Sequence, residues 1–106
     1  NDDQIVPLMS MGGKGVISVL SNVAPAQTHK LTQLCLEGKF DEASRLQIDY
    51  MPLIKALFCE VNPIPVKKAM ELLGWQGGDV RLPLVGVTAE HEALLRRELD
   101  KMGCKI

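Results

Sequence analysis

The sequence predicts an α/β fold, of which this chain carries a mostly helical part. Three observations predict it. The run Gly15-Val16-Ile17-Ser18-Val19-Leu20 is nearly all apolar and β-branched without alternation, the pattern of a strand covered on both faces in a parallel sheet. Helical periodicity precedes and follows that run. No second strand is available to pair with it. The other short extended piece, Leu82 to Val87, contains Pro83 and reads as a linker. A strand with two apolar faces needs neighbours on both edges, or its backbone groups go unpaired. The chain is therefore expected to be a piece of a larger α/β fold, in keeping with its opening on Asn1-Asp2-Asp3 rather than Met.

The elements follow in order. Asp2 or Asp3 can cap a short helix running to about Met11, with Ile5, Leu8 and Met9 on one face. Pro7 blurs where that helix starts, and Gly12-Gly13 stops it. After the strand, Ser21-Asn22 supplies turn chemistry and Pro25 suits an early helical position. A helix from about Ala26 to Glu37 buries Leu31, Leu34 and Cys35, and Gly38 is placed to cap it. Phe40, Ala43, Leu46, Tyr50, Leu53, Ile54 and Leu57 then recur at helical spacing. They predict a long amphipathic helix to about Phe58, kinked at Pro52. Asn62-Pro63-Ile64-Pro65 breaks it. A short helix follows with Val66, Ala69, Met70 and Leu73 inward and Gly74 as its stop. Trp75 to Pro83 is a loop. Thr88 caps a last helix whose Glu90 and Glu92 suit the positive end of the dipole, whose buried stripe is Leu94, Leu95, Leu99 and Met102, and which Gly103 ends.

Composition excludes several classes. The 106 residues carry 12 Lys+Arg against 13 Asp+Glu, a net charge of −1, which argues against nucleic acid or an anionic membrane surface as partner. No apolar run approaches the ~20 residues that span a bilayer, and no signal peptide is visible. Cys35, Cys59 and Cys104 are odd in number and widely spaced, without CxxC or Cys/His ligand spacing. They read as small hydrophobes in a reducing cytoplasm, with no metal site.

Candidate chemistry is sparse. Gly12-Gly13-Lys14-Gly15 is not a phosphate loop, which needs GK[ST] followed by a helix. Lys14 could form an imine, but it precedes its strand, whereas barrel chemistry sits at the C-terminal strand ends. His29 and His91 are expected to face solvent. Asp2-Asp3 reads as helix capping, and Lys67-Lys68 and Arg96-Arg97 as solvated helix faces. Glu60 to Lys67 is the most unusual segment and reads as a rigid inter-helix linker, or as a piece near a barrel mouth or a subunit contact.

Two segments together carry a resemblance. Asn1-Asp2-Asp3 followed by Gly12-Gly13-Lys14-Gly15-Val16-Ile17-Ser18-Val19 resembles the last barrel unit of the dihydrodipicolinate synthase (4-hydroxy-tetrahydrodipicolinate synthase) family. Lys55-Ala56-Leu57-Phe58, Asn62-Pro63-Ile64-Pro65-Val66-Lys67, Leu72-Leu73-Gly74 and Arg81-Leu82-Pro83-Leu84 resemble its C-terminal helical region. The resemblance implies the C-terminal fragment of a (β/α)8 TIM barrel. Residues 1–38 would be the last barrel unit and residues 39–106 the helical region. It implies a cytoplasmic homotetramer, without cofactor, in which pyruvate forms a Schiff base with a lysine and the enamine attacks aspartate 4-semialdehyde, on the route to diaminopimelate and lysine. The family's reactive lysine and other catalytic groups lie upstream, so no catalytic residue is expected in this chain, and these residues alone should be inactive. One position carries over cleanly: Ile17 matches the residue whose backbone carbonyl faces bound pyruvate. A glycine just before the position of Asn1 also borders the family's pocket, and Met11 matches a position in contacts between dimers. The alternatives are a related pyruvate-dependent Schiff-base aldolase with another aldehyde, or a non-catalytic helical module binding a partner through the strand edge or the Asn62–Lys67 linker.

Overall fold

The computed structural model describes residues 1–104. They form two compact units, one from Asn1 to Met51 and one from Pro52 onward. Among the described residues five α-helices are present: α1 (Ile5–Ser10), α2 (Pro25–Leu36), α3 (Phe40–Leu57), α4 (Ile64–Leu72) and α5 (Ala89–Lys101). Short 3-10 turns occupy Asp2–Gln4 and Leu20–Asn22. The division between the units falls inside α3, which stays helical through Pro52.

In the first unit, α1 packs against α2. The helix expected from Asp2 is a 3-10 turn first and an α-helix only from Ile5. Its buried face is Ile5, Val6 and Met9, while Leu8 is half exposed. In a six-residue helix Val6 and Leu8 lie on opposite shoulders of the Ile5–Met9 row, and the Val6 shoulder is the one buried. Gly12 closes the helix at φ 107°. The Gly13 amide donates to the Leu8 carbonyl at 3.0 Å, and a Cβ on Gly13 would lie 2.9 Å from that oxygen.

The strand expected at 15–20 does not form, and among the described residues none is in a β-strand. Residues 13–18 have no regular structure, and the chain then bends into the Leu20–Asn22 turn. The apolar, β-branched run supplies strand propensity, but a strand exists only with a ladder partner, and the described residues offer none. Leu82 to Val87 is likewise without strand structure.

The remaining elements follow local signals closely. Pro25 is the first residue of α2, and Gly38, at φ 76°, lets the Lys39 amide reach the Leu34 carbonyl at 2.9 Å. Along α3, Ala43, Gln47, Tyr50, Leu53, Ile54, Ala56 and Leu57 are buried, with Phe40 and Leu46 half-buried. In the second unit α4 packs on α5. Ile64, Val66 and Ala69 from α4 and Leu95 and Leu99 from α5 are buried, with Met70, Leu73, Leu94 and Met102 half-buried. Gly74 ends α4 at φ 89°, and the Trp75 amide reaches the Met70 carbonyl at 2.9 Å.

Candidate functional site

The site is built around Asp2, which sequence reading places as a cap on its own helix. It caps a different turn. Its side chain is 1% exposed. Oδ2 accepts the amides of Val19 and Leu20, each at 2.9 Å. Oδ1 accepts the Ser18 hydroxyl at 2.5 Å. The Ser18 Oγ in turn accepts the Ser21 amide at 2.9 Å. A buried carboxylate is tolerable only where donors replace water, and here the start of the Leu20–Asn22 turn supplies them. Asp2 forms no cap to the turn it begins. A close sequence signal was absent, since 16 residues separate Asp2 from Ser18.

Asp2 is itself held from α3. The Gln47 Nε2 donates to the Asp2 carbonyl at 2.9 Å, and the Gln47 Oε1 accepts the Val6 amide at 3.2 Å. Val6 stands in the first turn of α1, where amides have no partner within the helix. Gln47 therefore caps α1 from a distance, and Pro7 beside it brings no amide that needs pairing. Sequence periodicity named Leu46 rather than Gln47 for the buried stripe of α3, whereas Gln47 is the buried residue and Leu46 is half-buried.

The segment between these anchors carries Ile17. Its entry is pinned where Gly13 meets Leu8, and its exit where Ser18, Val19 and Leu20 meet Asp2. Ile17 is 99% exposed. Lys14 is exposed, as is Met11 on the same approach. A cavity of about 340 Å³ adjoins the segment, with Gly15, Val16, Ser18, Thr28 and His29 among its lining. Among the described residues no group of His, Cys, Asp or Glu comes together as a metal site would require. None of their helices is long and apolar enough to cross a membrane.

A second polar cluster lies in the other unit. The Thr88 hydroxyl caps α5 by accepting the His91 amide at 3.3 Å. Glu60 Oε2 accepts the Thr88 amide at 3.0 Å and lies 2.6 Å from His91 Nδ1. The Thr88 amide, with His91 beside it, holds the Glu60 carboxyl below its ordinary range. His91 is thus paired rather than simply facing solvent, which corrects the sequence expectation. Lys67 and Lys68 are also engaged. Lys67 Nζ donates to the Asp79 carbonyl at 2.8 Å. Lys68 lies 2.9 Å from Glu71 and 3.3 Å from Glu92, joining α4 to α5, and the two carboxylates hold its ammonium above the usual lysine value.

With this geometry in view, comparison with known proteins is decisive. The model of the dihydrodipicolinate synthetase family matches residues 1–102. This chain belongs to the dihydrodipicolinate synthetase family. Among curated relatives, the 4-hydroxy-tetrahydrodipicolinate synthase of Lachnoclostridium phytofermentans is 52% identical over 96% of the chain, and that of Caldicellulosiruptor bescii 48% identical over all of it. The solved dihydrodipicolinate synthase of Thermotoga maritima superposes with a TM-score of 0.95 at 43% identity over 98% of the chain. The chloride-inhibited enzyme of Acinetobacter baumannii, solved in complex with pyruvate, superposes with 0.91 at 33% identity over 97% of the chain. The chain spans only 35% or 36% of the length of these proteins.

Proposed function

We propose that this chain is the C-terminal part of a lyase that condenses pyruvate with aspartate 4-semialdehyde through a lysine Schiff base. The reactive lysine belongs to another part of the same enzyme. Residues 1–38 are the last unit of a (β/α)8 barrel and residues 39–106 a helical region that braces it. The working enzyme is a cytoplasmic homotetramer in which Met11 meets a neighbouring subunit.

One observation carries the reading. The exposed Ile17 sits on a segment pinned at both ends, in a chain of which nearly the whole length matches the family. In the proposed role its backbone carbonyl faces pyruvate, and residues 15–18, ahead of the Leu20–Asn22 turn, gain ladder partners from neighbouring barrel strands. The same run would then be a barrel strand once its edges are paired. The imine draws electrons from the bond that breaks to form the enamine, so the pyruvate methyl carbon becomes the nucleophile. The chain contributes the pocket wall and the closure of the barrel, and no cofactor is invoked.

The test is borohydride trapping of the full-length enzyme with pyruvate. A single lysine should be labelled, outside the peptides of residues 1–106. Labelling of Lys14, or of no lysine, overturns the reading. A coupled assay offering aspartate 4-semialdehyde and other aldehydes then separates this lyase from an aldolase of different specificity.

A further inference from the structure

We propose that Asp2 is a positioning residue for the pyruvate-facing carbonyl of Ile17; this rests on the reading of Ile17 given above. The Asp2 carboxylate is buried, and no cation pairs with it among the described residues. All three of its hydrogen bonds go to the consecutive residues Ser18, Val19 and Leu20. An apolar side chain in this place would leave the Val19 and Leu20 amides and the Ser18 hydroxyl without this acceptor, so the carboxylate serves stability as well. What it adds beyond that is direction. Two successive amides converging on one oxygen orient the peptide planes on either side of Val19, because each peptide unit is rigid. The Ser18 hydroxyl on the other oxygen fixes the side chain of the residue between them and Ile17.

The next peptide plane back, Ile17–Ser18, carries the Ile17 carbonyl. It is separated from the pinned planes by the dihedrals of Ser18 alone. Residues 14–17 make no hydrogen bond of their own that would orient it instead. Gln47 completes the device by holding the Asp2 backbone. The carboxylate thus sets the angle at which an acceptor oxygen is presented, without itself touching substrate.

The experiment uses the full-length enzyme and measures separate KM values for pyruvate and for the aldehyde. Wild-type enzyme must first form the borohydride-trapped pyruvate adduct; if it does not, the underlying reading of function fails before any variant is judged. Asp2→Ala should raise the pyruvate KM about 10-fold, the scale on which displacement of a positioned group acts. The aldehyde KM should be unchanged and the reactive lysine still labelled. Asp2→Asn should restore most of the loss, because its amide oxygen can accept both backbone amides and its nitrogen can donate to Ser18. A loss of kcat in proportion to folded enzyme, with both KM values unchanged, overturns the proposal. So does an Asp2→Asn variant as impaired as Asp2→Ala. Should Asp2→Ala not fold, Ser18→Ala decides: a pyruvate KM raised about 3-fold supports the proposal, and an unchanged one overturns it.

Discussion

Replacement of Gln47 by Met tests the distant cap on α1. Met has nearly the volume of Gln and keeps the packing, but it can neither accept the Val6 amide nor donate to the Asp2 carbonyl. Gln47 is only 7% exposed, so water does not readily replace either bond. Leaving a buried backbone group unpaired costs about 1–3 kcal/mol. Two such groups, partly relieved by local adjustment, give a loss of about 2–4 kcal/mol. At 1.4 kcal/mol per factor of ten, the lower figure is roughly a 30-fold shift in the opening equilibrium of this region. Urea unfolding of the full-length protein should show a lowered midpoint with an unchanged slope. Hydrogen exchange should show the Val6 amide deprotected by at least that factor, with the Leu95 and Leu99 amides in α5 unaffected. Full protection at Val6 with a midpoint within about 0.5 kcal/mol of wild type, the usual range of a surface change, would refute the reasoning.

Four further outcomes follow from the structure. Thr88→Ala removes the α5 cap and should cost about 1 kcal/mol, read as a lower unfolding midpoint. Glu60 has its folded carboxyl pulled below its unfolded value of 4.5, so its stabilisation is present above that pH and is lost as pH falls through the lower folded value. Glu60→Gln should therefore flatten the acid limb of stability against pH; an acid limb identical to wild type would remove Glu60 from the account. Leu99→Ala empties a fully buried position on α5, the helix that packs on α4, and should cost about 2–5 kcal/mol by the same unfolding measurement. Burial raises the Cys35 thiol above its ordinary value, so in the native protein at pH 8 iodoacetamide should alkylate it far more slowly than in urea. Equal rates in the two conditions would contradict the buried placement.

The sequence legible at short range was read well, and for a physical reason. Helix α3 is announced by apolar residues at three- and four-residue spacing, and Gly38, Gly74 and Thr88 mark helix ends because capping involves only the nearest turn. Family membership was legible for a similar reason: Gly15-Val16-Ile17-Ser18-Val19 and Asn62-Pro63-Ile64-Pro65-Val66-Lys67 are contiguous strings, and the family match covers residues 1–102. The polar pairings were not legible. Glu60 finds Thr88 and His91 across a gap of some thirty residues, and Gln47 finds Asp2 and Val6 across more than forty. Nothing in the local spacing distinguishes those side chains from solvated ones.

What the sequence determined by itself is therefore the set of helices, their stops and the family, all of them encoded in neighbouring residues. What only the tertiary structure decided is where the polar groups go and what the run 15–20 becomes. Its β-branched residues give it the propensity of a strand, yet among the described residues it finds no ladder partner and leaves Ile17 bare. Propensity belongs to the residue and can be read from it. A ladder belongs to two segments at once, and so does the carboxylate of Asp2, whose role is defined by the amides that fold back onto it.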